Sequence, residues 1–170
     1  ICHAGDPRQE IYSSAVYFST LWRDTPEENK QVLRYNHRSS KVIVNLLNEY
    51  SRVLFPTLHH DQIAVRKEKG DFKIYLNEDP IKRGEMVGKL VSDAEPGEAY
   101  ALSLVSLDKF VLNKVTNTAR QVISELRPGV LINIFSDYTA YSYDMATVKK
   151  MKGTEKSTVV VYGVELDYSL

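Results

Sequence analysis

Apolar residues recur along the chain in segments that alternate between a helical period and shorter, strand-like runs. The helical spacing predicts helices over residues 10–22, 40–54, 84–91 and 107–126, with Ser39 or Ser40 as the cap of the second. The shorter runs predict strands over residues 32–35, 72–76, 100–105, 130–135, 144–148 and 158–164. Because strands alternate with helices, we expect an α/β fold with a mainly parallel sheet that is covered on both faces.

Local signals also predict where several elements end and which strands are central. Pro56 is expected to end the second helix, residues 95–98 form a turn signal, and Arg-Pro-Gly at 127–129 stops the last helix. The near-continuous apolar runs 130–135 and 159–164 predict central strands. Since parallel α/β sheets bind ligands beyond the carboxyl ends of their strands, we expect a functional site in loops next to strand ends.

Composition narrows the classes of function. The 170 residues suit one domain of ordinary size or slightly more, and 22 basic residues balance 22 acidic ones. A chain of zero net charge has no overall field that attracts nucleic acid, so any DNA contact must come from a local patch. The single cysteine, Cys2, excludes an intrachain disulfide and fits a reducing compartment, cytoplasmic or, in a eukaryote, nuclear.

Two further features concern the context of the chain. No apolar run is long enough to predict a membrane span, so we expect no membrane partner. Residues 1–4 (ICHA) read as the end of a buried strand, and the chain is therefore expected to be a fragment or excised domain. The neighbouring His59 and His60 lack an obvious third ligand, so no metal site is predicted there.

Residues 5–12 (GDPRQEIY) form the first of three segments that suit nucleotide or nucleic-acid chemistry. The Gly-Asp pair predicts a tight turn after a strand, and Gln9 follows it with an amide that can both donate and accept. Such an amide suits the sensing of a γ-phosphate or of the water that attacks it. The alternative interpretation is a turn with a surface glutamine.

Residues 33–40 (LRYNHRSS) form the second segment, at the start of a predicted helix. Arg38 offers a planar guanidinium that can neutralise charge developing on a transferred phosphoryl group. The alternative is that Arg38 makes a surface salt bridge and that His37 is only a residue at the helix start.

Residues 147–155 (TVKKMKGTE) form the third segment, between two predicted strands. Lys149, Lys150 and Lys152 make a compact basic cluster that either neutralises the phosphates of a single strand or is a solvated loop. Gly153 permits a positive φ or a close approach of the backbone.

In this order the three segments resemble motifs III, IV and V of the UvrD/Rep-like superfamily 1 DNA helicases. The resemblance implies a RecA-like (P-loop NTPase-type) three-layer fold. Residues 1–24 would be the end of the first RecA-like domain, and residues 30–170 a compact second domain without a large inserted domain. It also implies ATP and Mg²⁺ as cofactors of the full-length protein. Single-stranded or partly duplex DNA and the remainder of the helicase are the implied partners.

The resemblance assigns roles to residues that match the family motifs on the nucleotide side. Gln9 and Arg38 would contact the γ-phosphate, His37 would stand where the family has an adenine-stacking tyrosine, and Glu155 would accept hydrogen bonds from the ribose hydroxyls. Gly153 would belong to the same nucleotide site.

The remaining assignments concern the nucleic acid. Thr147 would contact its backbone together with the three lysines. Tyr12, Tyr17 or Phe18 would substitute for the usual base-stacking aromatic, because residues 13–16 (SSAV) depart from the family pattern there. Lys149 and Thr154 are further departures from the third motif.

The family's phosphate-binding Gly-x-x-x-x-Gly-Lys-Ser/Thr motif does not occur in the sequence. The acidic magnesium-binding motif does not precede Gly5 either. We therefore expect part of an ATP-dependent DNA helicase or translocase that hydrolyses no ATP as an isolated chain. A non-catalytic helicase-like module that binds nucleic acid or protein is the alternative, and a general nucleotide-binding α/β protein with chance matches is a third interpretation.

Overall fold

Two units make up the chain, Ile1–Ile74 and Tyr75–Leu170. A computed structural model describes residues 18–57, 59–103, 109–134, 142–147 and 155–163 of them. The expected assignment of residues 1–24 and 30–170 to two RecA-like domains stays a prediction. Within the described ranges, no helix is both long and apolar enough to cross a membrane.

The first unit contains short elements around one long helix. Its described elements are helix α1 (Phe18–Asp24), a 3₁₀ turn (Glu27–Asn29), strand β1 (Tyr35–Asn36), helix α2 (Lys41–Leu54) and strand β2 (Ile63–Ala64). The two strands pair in parallel, with Tyr35 opposite Ile63 and Asn36 opposite Ala64.

Helix α2 has the predicted bounds, but it lacks a side-chain cap and leaves much of its apolar face exposed. Ser40 occupies the N-cap position without a side-chain cap hydrogen bond, and Phe55 is the C-cap residue directly before Pro56. Val44 and Ser51 are its buried residues. Much of its apolar stripe is exposed, at Leu46, Leu47, Tyr50, Val53 and Leu54.

The second unit is a parallel sheet packed against two helices. Its described elements are α3 (Pro80–Ser92), β3 (Ala99–Ser103), α4 (Lys109–Leu126), β4 (Leu131–Ile134), β5 (Ser142–Thr147) and β6 (Thr158–Tyr162). The strand order is β4-β5-β3-β6, and each neighbouring pair is parallel. The predicted mixed α/β class with parallel strands is therefore confirmed.

The core of this unit lies between one sheet face and the two helices. Ala101 lies opposite Met145 on β5 and Val160 on β6. Ala101 and Met145 are buried in this core, and the partly buried Val160 packs against it. Side chains of a strand alternate between faces, so Tyr100 and Leu102 point the other way and cluster with Ala146. Helices α3 and α4 both contribute to the first cluster, and no other helix is described in this unit to cover the second face.

Two predictions about strands are wrong, and one strand was not predicted. Residues 72–76 form no strand, and Leu76 is 85% exposed, because no neighbouring strand pairs with this alternating segment. Strand β2 was not predicted, since two residues carry too little periodicity. The runs 130–135 and 159–164 are not central: β4 and β6 lie at the edges of the described sheet, where Leu131 is 67% exposed.

Candidate functional site

The loop at residues 37–40 connects a parallel strand to a helix. Strand β1 ends at Asn36 and α2 begins at Lys41, so His37 and Arg38 lie directly between them, and both are exposed. A loop between a strand and the N-terminus of a helix is a common place for an anion, because the helix end carries partial positive charge. We call residues 37–40 the Arg38 loop.

Asn36 fixes the start of the Arg38 loop with its side chain. Its Oδ1 accepts hydrogen bonds from the backbone N–H groups of Arg38 (3.1 Å) and Ser39 (2.8 Å). This is the turn that an asparagine side chain forms with backbone groups two and three residues ahead. The Asn36 Nδ2 donates in turn to Oε1 of Gln62 at 2.8 Å.

Gln62 is held in place from α2. Its backbone N–H donates to Oδ1 of Asn48 at 2.9 Å, and its carbonyl oxygen accepts from Nδ2 of the same residue at 2.9 Å. Asn48 thus pairs with Gln62 as a neighbouring strand would, through one donor and one acceptor. The start of β2 is thereby attached to the middle of α2.

The segment at residues 66–70 lies on another side of the Arg38 loop. Nη1 of Arg66 donates to the carbonyl oxygen of Arg38 at 3.0 Å. Gly70 has φ +68°, and a Cβ atom there would stand 2.0 Å from Oγ of Ser40. Only glycine fits both the positive φ and this close approach. The backbone of Gly70 therefore covers Ser40, the residue directly before α2.

An open polar groove of about 470 Å³ adjoins this network. It is lined by Asn45, Asn48, Glu49, Arg52, Asp61 and Gln62. Arg52 bridges the two carboxylates of the groove, with Glu49 at 2.7 Å and Asp61 at 3.1 Å. These charges are exposed and pair with each other, so they add little stability, and one guanidinium with two carboxylates leaves a single net negative charge in the groove.

The two adjacent histidines make different contacts. His59 Nε2 lies 2.8 Å from Oδ1 of Asp61, and this hydrogen bond, followed by the charge of Arg52, lowers the pKa of the Asp61 carboxyl. His60 instead packs edge-on against the ring of Trp22, with the centroids 6.0 Å apart. No group of three or more His, Cys, Asp or Glu side chains in the described ranges is arranged to hold a metal ion.

In the second unit, Thr147 lies at the carboxyl end of β5. It pairs in register with Ser103, the last residue of β3, so both stand at the edge of the sheet where parallel α/β proteins bind ligands. Thr147 is half-buried. This is the position that the sequence predicted for it, next to a strand end.

Glu155 lies on the opposite side of the sheet, near the amino-terminal ends of the strands. It is exposed and precedes β6, and the neighbouring Lys156 donates to the carbonyl oxygen of Gly97, before the start of β3. Ser157 Oγ donates to the carbonyl oxygen of Glu98 at 3.0 Å in the same region. Since β5 and β6 both run parallel to β3, Thr147 and Glu155 do not share an edge.

The other predicted site residues lie outside the described residues: Gln9, Tyr12, Lys149, Lys150, Lys152 and Gly153. Sequence reasoning missed Asn36, Asn48 and Gln62, whose side chains build the support of the Arg38 loop. Asn36 belongs to the second quoted segment, and a turn-forming asparagine just before Arg38 was a usable signal. Nothing in the local sequence around Gln62 or Asn48 indicates their pairing.

Comparison with known proteins gives no match: no family model, curated protein or solved structure matches the chain. Two predicted site residues lie at positions of the described fold that suit ligand binding. These positions are the Arg38 loop in the first unit and the carboxyl edge of the sheet, with Thr147, in the second.

Proposed function

We propose that this chain is part of an ATP-dependent DNA helicase or translocase, with a RecA-like fold, and that Arg38 contacts the γ-phosphate of ATP. The observation that carries the proposal is the position of Arg38. Its exposed side chain stands between a parallel strand and the N-terminus of a 14-residue helix, on a loop held by Asn36.

The chemistry of Arg38 suits this role. A guanidinium is charged at every working pH and offers donors in a fixed fork that matches phosphate oxygens. The positive end of the α2 dipole adds to its field. In phosphoryl transfer, such a group neutralises the charge that develops on the transferred phosphoryl oxygens.

The nucleic-acid side of the proposal rests on Thr147. Its position at the carboxyl edge of the parallel sheet suits a hydroxyl that donates to a backbone phosphate of single-stranded DNA. Lys149, Lys150 and Lys152 follow it directly in the sequence and would supply the local positive charge that a neutral chain otherwise lacks. Tyr12 remains the proposed base-stacking residue.

The nucleotide would need residues beyond this chain. The exposed guanidinium of Arg38 suits the phosphate end of ATP, whereas the sequence lacks the phosphate-binding motif and its lysine. Ligands for Mg²⁺ would come from the rest of the full-length protein. We propose that Gln9 reads the same phosphate, that His37 lies near adenine, and that Gly153 and Glu155 belong to the nucleotide site.

Hydrolysis by the full-length protein tests the proposal. We expect ATP hydrolysis that single-stranded DNA stimulates, and none by the isolated 170-residue chain. Hydrolysis by a pure preparation of the isolated chain would contradict the proposed division of the site. A full-length protein with an intact phosphate-binding motif that hydrolyses no ATP, with or without DNA, would contradict the helicase assignment.

A non-catalytic helicase-like module is the second candidate, and the departures from the family motifs at His37, Lys149 and residues 13–15 favour it. Such a module would bind single-stranded DNA, or another protein, without turnover. DNA binding by the full-length protein together with a broken phosphate-binding motif upstream would favour the module over the motor.

A further inference from the structure

We infer that Gln62 is a positioning residue for Arg38. The inference rests on the proposed function, because it concerns how the same arginine is aimed at a phosphate. A chain of side-chain hydrogen bonds leads from α2 through Gln62 to the backbone of Arg38. Three side chains build it, those of Asn48, Gln62 and Asn36, and we call these three the amide relay.

The relay is continuous at hydrogen-bonding distances. Asn48 holds both backbone groups of Gln62 at 2.9 Å, Gln62 Oε1 accepts from Asn36 Nδ2 at 2.8 Å, and Asn36 Oδ1 accepts from two N–H groups of the loop. All three residues are partly buried. Their hydrogen bonds are therefore less exposed to competition from water than those of an open surface.

Gln62 determines which way the Asn36 amide faces. A primary amide has an acceptor oxygen on one side and a donor nitrogen on the other. The loop requires the oxygen of Asn36, because Arg38 and Ser39 both present N–H groups. An acceptor on the opposite side, Oε1 of Gln62, stabilises this orientation over the flipped one.

Because the β1–β2 pair is short, the Arg38 loop depends more on the amide relay for its support. Strands β1 and β2 are only two residues long, and the flanking backbone bonds run from Ile63 N–H to the Arg34 carbonyl (2.7 Å) and from Val65 N–H to the Asn36 carbonyl (2.9 Å). A ladder of this length sets the position of the strand but not the path of the loop beyond Asn36. The side-chain amides continue the support into the loop.

Arg38 is consequently held at both ends of its own backbone unit. Asn36 accepts from its N–H and Arg66 donates to its carbonyl oxygen at 3.0 Å, while its side chain stays exposed. When the backbone of a residue is fixed, the position from which its side chain extends is fixed as well. Positioning of this kind matters for catalysis, because a displacement of about 1 Å can cost on the order of a hundredfold in rate.

Substitution at position 62 tests the inference in the full-length protein. Gln62→Leu removes the acceptor for Asn36, whereas Gln62→Glu keeps an oxygen there. We expect Gln62→Leu to accelerate hydrogen exchange of the Arg38 and Ser39 amides about fivefold and to lower kcat for ATP by a similar factor, the usual worth of one hydrogen bond. Gln62→Glu should keep both the exchange rates and kcat close to wild type. Gln31→Leu, at an exposed glutamine of the same unit, should change neither the exchange rates nor kcat.

A double variant separates positioning from general stability. If Gln62 acts through Arg38, then adding Gln62→Leu to Arg38→Ala should lower kcat no further. An additional fivefold fall in the double variant, or unchanged exchange of both amides in Gln62→Leu, would overturn the inference. Failure of the proposed function gives a different result: Arg38→Ala alone would leave kcat unchanged, whatever the amides do.

Discussion

Gly88 of α3 lies against Val122 of α4 so closely that a Cβ atom at position 88 would stand 2.7 Å from the Cβ of Val122. One turn earlier, a Cβ at Gly84 would stand 2.6 Å from the Cβ of Thr118. Backbone oxygens of α4 would be about as close: a Cβ at position 84 would stand 2.7 Å from the carbonyl oxygen of Val115, and one at position 88 would stand 2.8 Å from that of Ala119. The two glycines thus set the distance between the helices that cover the core of the second unit.

Gly88→Ala should destabilise the second unit by about 1–3 kcal/mol, the usual range for overpacking a core. In an exposed helix the same change would stabilise by about 1 kcal/mol, because alanine has the higher helix propensity. Urea unfolding followed by circular dichroism measures the difference. Lys89→Ala, at the exposed next residue, should be nearly neutral, and a Gly88→Ala protein more stable than wild type would contradict the close packing.

Asp79→Ala should destabilise α3 by about 1 kcal/mol, the usual value of an N-cap. Oδ1 of Asp79 accepts from the backbone N–H of Ile81 at 2.8 Å, and Pro80 follows at the first position of the helix. Asp93→Ala is the matched control, because Asp93 is exposed at the C-terminal end of the same helix, where a negative charge opposes the dipole. Thermal unfolding should show a loss for the first variant and none for the second.

The second unit should lose stability as pH rises above about 10. Burial raises the pKa of Tyr143 and of Tyr162 above the ordinary value of 10.0. A tyrosine whose pKa is raised in the folded state stabilises it fully below the pKa of the unfolded chain, and this contribution is lost as pH rises through the folded pKa. Unfolding free energies measured between pH 8 and pH 12 should therefore decline in this upper range.

Phenylalanine variants identify the source of that decline. Tyr143→Phe removes an O–H that donates to the Ala94 carbonyl at 2.6 Å, and Tyr162→Phe removes a contact of 3.1 Å with Thr116 Oγ1. Each should be less stable than wild type at neutral pH but less sensitive to alkali. Equal alkaline slopes in wild type and in both variants would refute the assignment to buried tyrosines.

Local signals in the sequence were sufficient for helices α2 and α4 and for the ends of several elements, whereas α3 begins at Pro80, four residues before its predicted start. Helix α2 begins after Ser40 and ends before Pro56, and α4 ends before Gly129, whose φ is +80°. These features depend on residues that are neighbours in the chain. The Arg38 loop could be proposed from the sequence for the same reason, since its candidate residues lie within eight consecutive positions.

Contacts between distant residues were not predictable in the same way. Asn36 and Gln62 are 26 residues apart, and their pairing depends on where β2 lies, which two residues cannot indicate. The order of the strands is also non-local: apolar composition suggested that β4 and β6 are central, yet β3 and β5, which include the buried Asp144, lie between them. A segment with alternating residues, such as 72–76, becomes a strand only where a partner strand exists.

The proposed contact of Arg38 with the γ-phosphate is tested most directly by the ATP hydrolysis rate of the full-length protein with Arg38→Ala, compared with Arg34→Ala. Both arginines are exposed and lie four residues apart in the same segment, but only Arg38 is on the loop before α2. We expect Arg38→Ala to lower kcat about a thousandfold, the scale of an arginine that neutralises a transferred phosphoryl group, and Arg34→Ala to stay near wild type. Equal rates for wild type and Arg38→Ala would contradict the assignment of Arg38 to the γ-phosphate.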